Sequence, residues 1–292
     1  SETIINIDEL SPDVSTKNLY LDIKSQDPAY IIYTSGSTGH PKGVVQNHNN
    51  ILHFISSYTN NLHISEEDKL SLLSSYAFDA AVMDIYGALL NGACLCLINL
   101  KKDGFNNIQK QLNEHKITIY HSTSSVYRYF IETLNQADTL DNIRLVILGG
   151  EAAARRDHDA FISHFKENCF FVSLMGSTES SLSLLHFMNH TSKVPTPMIP
   201  IGYPVEETEV ILLNNHGDEV ALYGEIAIKS KYSALEYWKQ PELSQKIFKT
   251  QENTKKRIYR TGDMGRRQID GHIKFEGRKD FQVKIRGYRV EV

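Results

Sequence analysis

The middle of the chain alternates between two hydrophobic patterns. Short apolar runs predict buried strands, and apolar residues three or four positions apart predict amphipathic helices between them. The predicted strands are 70–73, 93–98, 117–121, 143–148 and 170–174. The predicted helices are 49–62, 80–90, 108–115, 126–134 and 155–166. This alternation is typical of a mostly parallel sheet with helices on its faces.

The pattern changes after three prolines at positions 195, 197 and 200, which predict an extended linker. Beyond them, residues 209–213 and 225–229 predict short strands separated by turn residues. We therefore expect an α/β fold, in which a mostly parallel sheet flanked by helices is followed by a smaller β-rich subdomain.

Composition narrows the class of protein only slightly. The chain has 292 residues, and its formal net charge of −4 gives no basic surface for nucleic acid. No apolar run approaches the roughly 18 residues that a membrane span needs, and the N-terminus lacks a signal-peptide core. Cys94, Cys96 and Cys169 have no metal or redox spacing, and Cys94 and Cys96, in a strand-like stretch, are expected to be reduced core residues. A cytoplasmic protein is the expectation.

A loop of small and hydroxyl residues follows the first apolar run. Residues 29–33 predict a buried strand, and the loop Thr34–Gly43 (TSGSTGHPKG) can surround a polyphosphate with N–H and O–H donors. Its three glycines permit positive φ angles and close approach, and Lys42 adds a mobile cation. It is not a P-loop, because Pro41 precedes the lysine and Gly43 follows it. The alternative is a flexible turn between two strands.

Four further segments follow this loop in a recognisable order. They are 175–179 (MGSTE), 224–228 (GEIAI), 259–263 (YRTGD) and 277–287 (GRKDFQVKIRG). Together with the loop they resemble the signature elements of the adenylate-forming superfamily. That superfamily contains acyl- and aryl-CoA synthetases, luciferases and the adenylation domains of nonribosomal peptide synthetases. The resemblance extends from residue 28 to the last residue.

The pair Phe78-Asp79 indicates the branch of the superfamily. In amino-acid-activating members, an Asp at this point holds the substrate's α-ammonium, which needs an opposite charge when it leaves water. On spacing alone, Asp79 is more typical of a helix N-cap, a role that is compatible with ammonium binding. With the other segments in order, the chain resembles the adenylation domain of a nonribosomal peptide synthetase.

The resemblance implies an ATP-dependent, AMP-forming ligase. An amino-acid carboxylate would attack the α-phosphate of ATP, and the aminoacyl-adenylate would be transferred to the phosphopantetheine of a carrier protein beside other synthetase domains. Two alternatives stay open: a catalytically incomplete nucleotide-binding scaffold, and an acyl- or aryl-CoA ligase.

The same resemblance assigns residues to the nucleotide. Thr178 would bind a phosphate oxygen, Glu179 would help hold Mg²⁺, and Asp263 would accept both ribose hydroxyls. The residues assigned to ATP are Thr34, Ser35, Gly36, Ser37, Thr38, Gly39, Lys42, Gly150, Glu151, Met175, Gly176, Asp263 and Arg278. Met175 replaces the family's adenine-stacking Tyr, which should weaken base stacking. Ser177 stands where many peptide-synthetase domains have Pro.

A second set of residues is assigned to the amino-acid substrate. It comprises Asp79, Ala80, Met83, His121, Ile147, Gly149, Leu174, Leu182 and Ser183. Apart from Asp79, the set is largely apolar with two neutral polar groups. We expect the substrate to be a neutral, medium-to-large amino acid, whose side chain could carry a hydroxyl or an aromatic group.

The resemblance also divides the chain. Residues 1–198 would be the ATP- and amino-acid-binding core, 199–276 the β-rich subdomain, and 277–292 the hinge and the start of the C-terminal subdomain. The lysine that this subdomain normally contributes has no match here, and its loss should cost about 10²–10³ in rate. A fragment, a split enzyme and an interrupted domain all remain open.

Overall fold

The computed structural model describes residues 6–35, 40–135, 137–251, 254–279, 282–285 and 288–291. The helices are α1 His48–Leu62, α2 Asp79–Leu89, α3 Leu100–Asp103, α4 Ile108–Glu114, α5 Ser124–Ile131, α6 Arg155–His164 and α7 Pro241–Ile247, with 3₁₀ turns at Ile7–Glu9 and Phe105–Asn107. None of the helices in these ranges has the length and apolar character that crossing a membrane requires.

Eighteen strands are defined in the same ranges. They are β1 Pro28–Thr34, β2 Lys42–Asn47, β3 Lys69–Leu72, β4 Cys94–Leu97, β5 Ile119–Ser122, β6 Leu145–Gly149, β7 Phe170–Ser177, β8 Ser181–Met188, β9 Tyr203–Pro204, β10 Thr208–Leu213, β11 Glu219–Val220, β12 Tyr223–Ser230, β13 Glu236–Tyr237, β14 Phe248–Thr250, β15 Arg257–Arg267, β16 Ile273–Arg278, β17 Gln282–Ile285 and β18 Tyr288–Glu291.

The main sheet has seven strands in the order β4-β3-β5-β6-β7-β8-β9. The first five are parallel, and β8 and β9 add antiparallel strands at one edge. This arrangement confirms the mostly parallel sheet. The antiparallel β8 was not predicted, because its apolar run follows β7 after only three residues and is hard to separate from it.

Helices cover both faces of the main sheet. Alternate residues of β6 belong to different apolar clusters: Ile147 packs with residues of α1 and α2, and Val146 packs with residues of α4, α5 and α6. This period of two sends neighbouring side chains to opposite faces. The sheet therefore has a buried layer on each side, as the continuous apolar runs predicted.

The first apolar run forms a half-exposed strand, so the expectation of a buried strand was wrong. Strands β1 and β2 make an antiparallel hairpin, with Thr34 opposite Lys42, and β13 pairs with the other side of β2. Only Ile32 of β1 is buried, and Tyr33 is 59% exposed. The reason is that β1 lies at the edge of this small sheet, away from the helices that cover the main one.

Gly43 serves packing within this hairpin, which corrects the role expected for it in the loop. The residue lies inside β2, and a Cβ built on it would lie 2.9 Å from Ile31 Cγ2 and 3.2 Å from Trp238 Cβ. No side chain larger than hydrogen fits between these neighbours. Close approach of two strands therefore explains the glycine.

A second, antiparallel sheet has the order β11-β10-β12-β15-β14, with β16 paired to β15. Its apolar residues form a third buried cluster, which includes Ile226 and Tyr259 and also Val44 and Leu184 from the preceding sheets. The second sheet is thus packed against the first part of the chain through a shared core.

Two local expectations need correction. Cys94 is exposed, while Cys96 and Cys169 are buried; Cys94 is the first residue of β4, which lies at the edge of the main sheet. Gly149 and Gly176 lie beyond the apolar runs predicted as strands, but the structure places them within β6 and β7, near the carboxyl ends. The strands run one to three residues further than their apolar runs, because hydrogen bonding to neighbouring strands continues past the last apolar side chain.

Candidate functional site

Two polar elements meet at the start of α2. Thr178 lies in the turn between β7 and β8, and its Oγ1 donates a hydrogen bond to Asp79 Oδ2 at 3.0 Å. Asp79 is the first residue of the helix and Phe78 occupies the N-cap position, so the N-cap interpretation was wrong. A carboxylate in a first helical turn is stabilised by the helix dipole. The carboxylate is thus held at a defined point beside the turn.

Glu179, next to this threonine, is 1% exposed. The hydroxyl of Tyr237 donates to its Oε1 at 2.8 Å, and Lys42 Nζ lies 5.1 Å from the centre of the Tyr237 ring. Lys42 is itself only 7% exposed, so it is held in the fold and is not the mobile cation that was expected. A carboxylate, a cation and a phenol therefore converge where the hairpin meets the main sheet.

The two ends of the loop that was expected to bind phosphate belong to the hairpin. Thr34 ends β1, Lys42 begins β2, and the two are opposite each other in the ladder. The expectations for Gly36, Ser37, Thr38 and Gly39 concern positions outside the described residues. Thr34 Oγ1 is buried and has no hydrogen-bond partner among the residues that are described. The loop therefore does join two strands, and its ends lie next to Glu179 through Lys42 and Tyr237.

A small cavity of about 30 Å³, partly open to solvent, lies between the end of the main sheet and the second sheet. Its lining includes four residues assigned to the nucleotide: Met175, Gly176, Asp263 and Arg278. The complete lining is Met175, Gly176, Ser177, Ser180, Ser183, Ile228, Tyr259, Thr261, Asp263 and Arg278. Ser183, which was assigned to the amino acid, also faces this cavity, where it donates to Ser180 Oγ at 3.1 Å.

Charged pairs fix the wall of the cavity formed by the second sheet. Arg278 and Asp263 are opposite each other on β16 and β15, and the guanidinium donates to Asp263 Oδ1. Glu225, 5% exposed, accepts from Arg260 and from the backbone N–H of Gly262, the latter at 3.3 Å. One buried carboxylate thus contacts the part of β15 that leads to Asp263.

Gly150 and Glu151 do not line this cavity as far as the described residues show. Glu151 Oε2 accepts from the backbone N–H of Ser125 at 2.9 Å and from its hydroxyl at 2.6 Å. These contacts satisfy donors in the first turn of α5, which is the position that a capping carboxylate takes. Gly150 adopts a φ of 77° directly after β6, a conformation that suits glycine.

Four apolar residues assigned to the amino acid lie in one buried cluster. They are Met83, Ile147, Leu174 and Leu182. Ala80 is half-buried in the first turn of α2, close to Asp79 in sequence. Gly149 lies beside Leu174 and His121: a Cβ built on it would be 3.1 Å from Leu174 Cδ2 and 3.5 Å from His121 Nε2.

His121 is not a simple neutral polar group. It is 2% exposed, and its Nδ1 lies 2.9 Å from Oδ1 of Asp84, which is fully buried in α2. Burial raises the pKa of the Asp84 carboxyl, against the opposing effect of His121. Burial alone would lower the pKa of His121, but the charge of Asp84 and the hydrogen bond to it raise the pKa overall. The two groups form a buried pair.

The structure adds three residues that motif reasoning did not assign: Asp84, Glu225 and Tyr237. Asp84 carried a detectable signal, because a carboxylate between Met83 and Ile85 interrupts an otherwise apolar helix. Glu225 stood inside a recognised segment but without a role. Tyr237 had no signal, because its contact with Glu179 spans 58 positions of sequence.

The donor set near the loop fits magnesium. In the described ranges, no three His, Cys, Asp or Glu side chains form a metal-binding group. Mg²⁺ commonly uses one or two carboxylates together with substrate phosphates, and Glu179 is a carboxylate at the base of the loop. The residues therefore fit a magnesium ion that arrives with a nucleotide.

Comparison with known proteins identifies the class. A model of the family described as AMP-binding enzyme matches residues 3–238, and the chain belongs to this family. Bacitracin synthase 1 of Bacillus licheniformis is 33% identical over 99% of this chain, and tyrocidine synthase 1 of Brevibacillus parabrevis is 30% identical over 100% of it. The chain spans 6% and 26% of the lengths of these two relatives.

Solved structures of adenylation domains share the fold. The adenylation domain AlmE of Vibrio cholerae, in complex with glycyl-adenosine-5'-phosphate, has a TM-score of 0.83 and 27% identity, covering 93% of this chain and 52% of that one. The nonribosomal peptide synthetase protein holo-PA1221, with adenylation and PCP domains, has a TM-score of 0.86 and 27% identity, covering 98% and 50%.

Proposed function

We propose that this chain activates an amino acid for nonribosomal peptide synthesis. It would bind ATP and an amino acid, and the substrate carboxylate would attack the α-phosphate to give an aminoacyl-adenylate and pyrophosphate. The observation that carries the proposal is the hydrogen bond between Thr178 and Asp79. It places a residue assigned to phosphate beside the carboxylate assigned to the amino acid's ammonium.

Each part of the site then has a task in positioning and charge neutralisation, which this kind of transfer needs most. Asp79 holds the α-ammonium. Thr178 and the loop between Thr34 and Lys42 bind phosphate oxygens. Glu179 would hold Mg²⁺, which supplies positive charge to the phosphates. Asp263, oriented by Arg278, binds the ribose hydroxyls at the cavity wall.

The relatives support the next step of the proposal. The match to multidomain synthases, and to a protein that combines adenylation and PCP domains, supports transfer of the activated amino acid to the phosphopantetheine thiol of a carrier domain. We propose that residues 1–198 and 199–276 form the two parts of the catalytic core, and that 277–292 connect it to a further subdomain.

The test is amino-acid-dependent exchange of pyrophosphate into ATP, across the common amino acids and a set of fatty and aryl acids. One amino acid should support exchange. The variant Asp79→Ala should lower this activity by about 10²-fold or more, because it leaves an ammonium without its counter-charge.

Asp159→Ala is the matched control, since Asp159 is an exposed residue of α6 on a different part of the chain. It should leave the exchange rate unchanged. Exchange that depends on a fatty or aryl acid, or that survives in Asp79→Ala, would contradict the proposal.

A further inference from the structure

The Asp84–His121 pair is buried within the part of the chain assigned to the amino acid. Asp84 is fully buried and His121 is 2% exposed, and Oδ1 of one lies 2.9 Å from Nδ1 of the other. The pair joins the middle of α2 to the end of β5. Since Asp79 begins the same helix, the pair and the carboxylate assigned to the ammonium share one rigid element.

Burial determines which hydrogens this pair carries. An isolated charge is costly in such a place, so the states with zero net charge are favoured. There are two of them: an imidazolium beside a carboxylate, and a neutral imidazole beside a protonated carboxyl group. In the first, both ring nitrogens carry hydrogen. In the second, Asp84 donates to Nδ1, and the ring hydrogen is on Nε2.

Nε2 of His121 is therefore a hydrogen-bond donor in both neutral states. Within the described part of the chain no hydrogen bond is formed by Nε2, and the His121 side chain as a whole is 3% exposed. Nε2 does not belong to the fully buried atoms that lack a partner, so it lies where solvent or a ligand can reach it. A donor in that situation needs an acceptor from a ligand or from solvent.

Gly149 leaves space in front of this donor. A Cβ at that position would lie 3.5 Å from Nε2 and 3.1 Å from Leu174. The absence of a side chain on Gly149 thus keeps the ring edge accessible from the carboxyl end of β6. Leu174, which lies beside Gly149, belongs to the apolar cluster that also contains Met83 and Leu182.

We propose that His121, held by Asp84, donates a hydrogen bond from Nε2 to the side chain of the substrate, which is an amino acid with a hydroxyl group. This inference rests on the proposed function and names the substrate class of that site. Asp84 is a positioning residue, because it acts through the imidazole.

The chemistry of the wall excludes the other acceptor-bearing side chains. A carboxylate would enter a pocket whose histidine charge is already balanced by Asp84, and it would lie near Asp79. A primary amide would bring two N–H donors into a set that is largely apolar, in which Ser183 is the one neutral side chain besides His121 that could accept. A hydroxyl has one hydrogen, and it can rotate to find an acceptor.

The first test compares pairs of amino acids that differ by the hydroxyl alone: threonine against valine, serine against alanine, and tyrosine against phenylalanine. In pyrophosphate exchange, kcat/KM for the preferred hydroxyl amino acid should exceed that of its partner by at least about 10²-fold, because a buried donor is left unpaired by the partner. Preference for valine, alanine, phenylalanine, or for an amide or acidic amino acid, would overturn the inference and leave the proposed function intact.

Two variants test the positioning role. His121→Gln keeps an N–H donor and should retain the preference for the hydroxyl, whereas His121→Leu should abolish it. Asp84→Asn should reduce the preference by about tenfold or more, since the charge that holds the imidazole hydrogen is lost. The ratio of kcat/KM between the two amino acids of a pair is measured on one preparation of each variant. A lower amount of folded protein therefore does not change this ratio.

A spectroscopic readout is independent of catalysis. The ¹⁵N shifts of the His121 imidazole in the unmodified protein should show hydrogen on Nε2 at neutral pH, and Asp84→Asn should change them. Nε2 without hydrogen would overturn the inference even in a protein with no exchange activity. Absence of exchange with every acid would contradict the proposed function instead, and calorimetric binding of the paired amino acids would then decide the inference.

Discussion

The two sides of the candidate site, one proposed to bind the amino acid and the other the nucleotide, manage charge in different ways. On the amino-acid side, Asp84 and His121 are both buried and interact with each other. On the nucleotide side, Glu225 is buried but its partner Arg260 has 31% of its side chain exposed, and Arg278 and Asp263 line an open cavity. One side is sealed and nearly neutral, and the other is ionic and in contact with solvent.

The difference follows from what each side would bind. A nucleotide brings several negative charges and water, which suit fixed ion pairs at a cavity wall. A side chain of an amino acid brings few polar atoms, so a sealed wall with one oriented donor can distinguish it from similar molecules. Three measurements test this contrast.

The largest effect is expected on the nucleotide side. Glu225→Gln removes the negative charge that Arg260 and Lys279 share, and both cations lose their partner. We expect the free energy of unfolding to fall by about 3 kcal/mol in urea titrations, because one member of a largely buried pair is lost.

Glu209→Gln is the control for this prediction. Glu209 pairs with Lys229 and Lys256 on the surface, with 45% of its side chain exposed. Its replacement should change the free energy of unfolding by no more than about 1 kcal/mol. Equal losses in the two variants would mean that burial of Glu225 adds nothing.

An intermediate effect is expected where the two sides meet. Tyr237→Phe removes the hydroxyl that donates to Glu179 Oε1 and leaves a buried carboxylate oxygen without this donor. The free energy of unfolding should fall by about 1–2 kcal/mol. The control is Tyr76→Phe, at a tyrosine that is 84% exposed. Its free energy of unfolding should differ from that of the unmodified protein by no more than about 0.5 kcal/mol. A loss as small in Tyr237→Phe would show that the contact is not formed in solution.

The smallest effect is the pH dependence of the stability that two ion pairs contribute. The sign of this dependence should be opposite for Asp84–His121 and for Asp68–Arg144. Since the pKa of His121 is raised in the fold, its contribution to stability is fully present below its ordinary value of 6.5 and is lost as pH rises through the folded value. The stability difference between the unmodified protein and His121→Gln should therefore shrink as pH rises above 6.5.

Asp68 provides the comparison, at the other end of the main sheet. Burial would raise the pKa of Asp68, but the hydrogen bond from Arg144 and other donors lower it overall. Its contribution is present above 3.8 and is lost as pH falls through the folded value. As pH falls below 3.8, the urea midpoint of Asp68→Asn should therefore approach that of the unmodified protein. The same slope for both pairs would contradict the assignment.

The parallel part of the fold could be predicted from sequence because its strands are continuous apolar runs. The apolar run at 143–148 corresponds to β6, Leu145–Gly149. The helix predicted at 155–166 corresponds to α6, Arg155–His164. Strand β15 was missed, since Arg260, Asp263 and Arg266 give it no apolar alternation. Its position depends on pairing with β12 and β16, which local pattern does not contain.

The site divides in a similar way. Asp79, Thr178 and Asp263 belong to short segments with characteristic residue types, so sequence could assign them roles that remain proposals. The Asp84–His121 pair spans 37 positions and depends on how α2 packs against β5. From sequence, Asp84 was only a residue of a predicted helix and His121 only a neutral polar group. Their burial and their contact are properties of the folded chain, which the local pattern does not contain.

One glycine limits how far the phosphate loop can be redesigned. Gly43 lies one residue after Lys42, yet its space is taken by Ile31, Tyr33 and Trp238, and no ligand is needed to explain it. If Gly43 were retained in a library of loop variants, the reason would be packing within the sheet, and its retention would not be evidence of contact with a nucleotide. In directed evolution, diversity should therefore stop before position 43, where tolerance to substitution is set by strand packing.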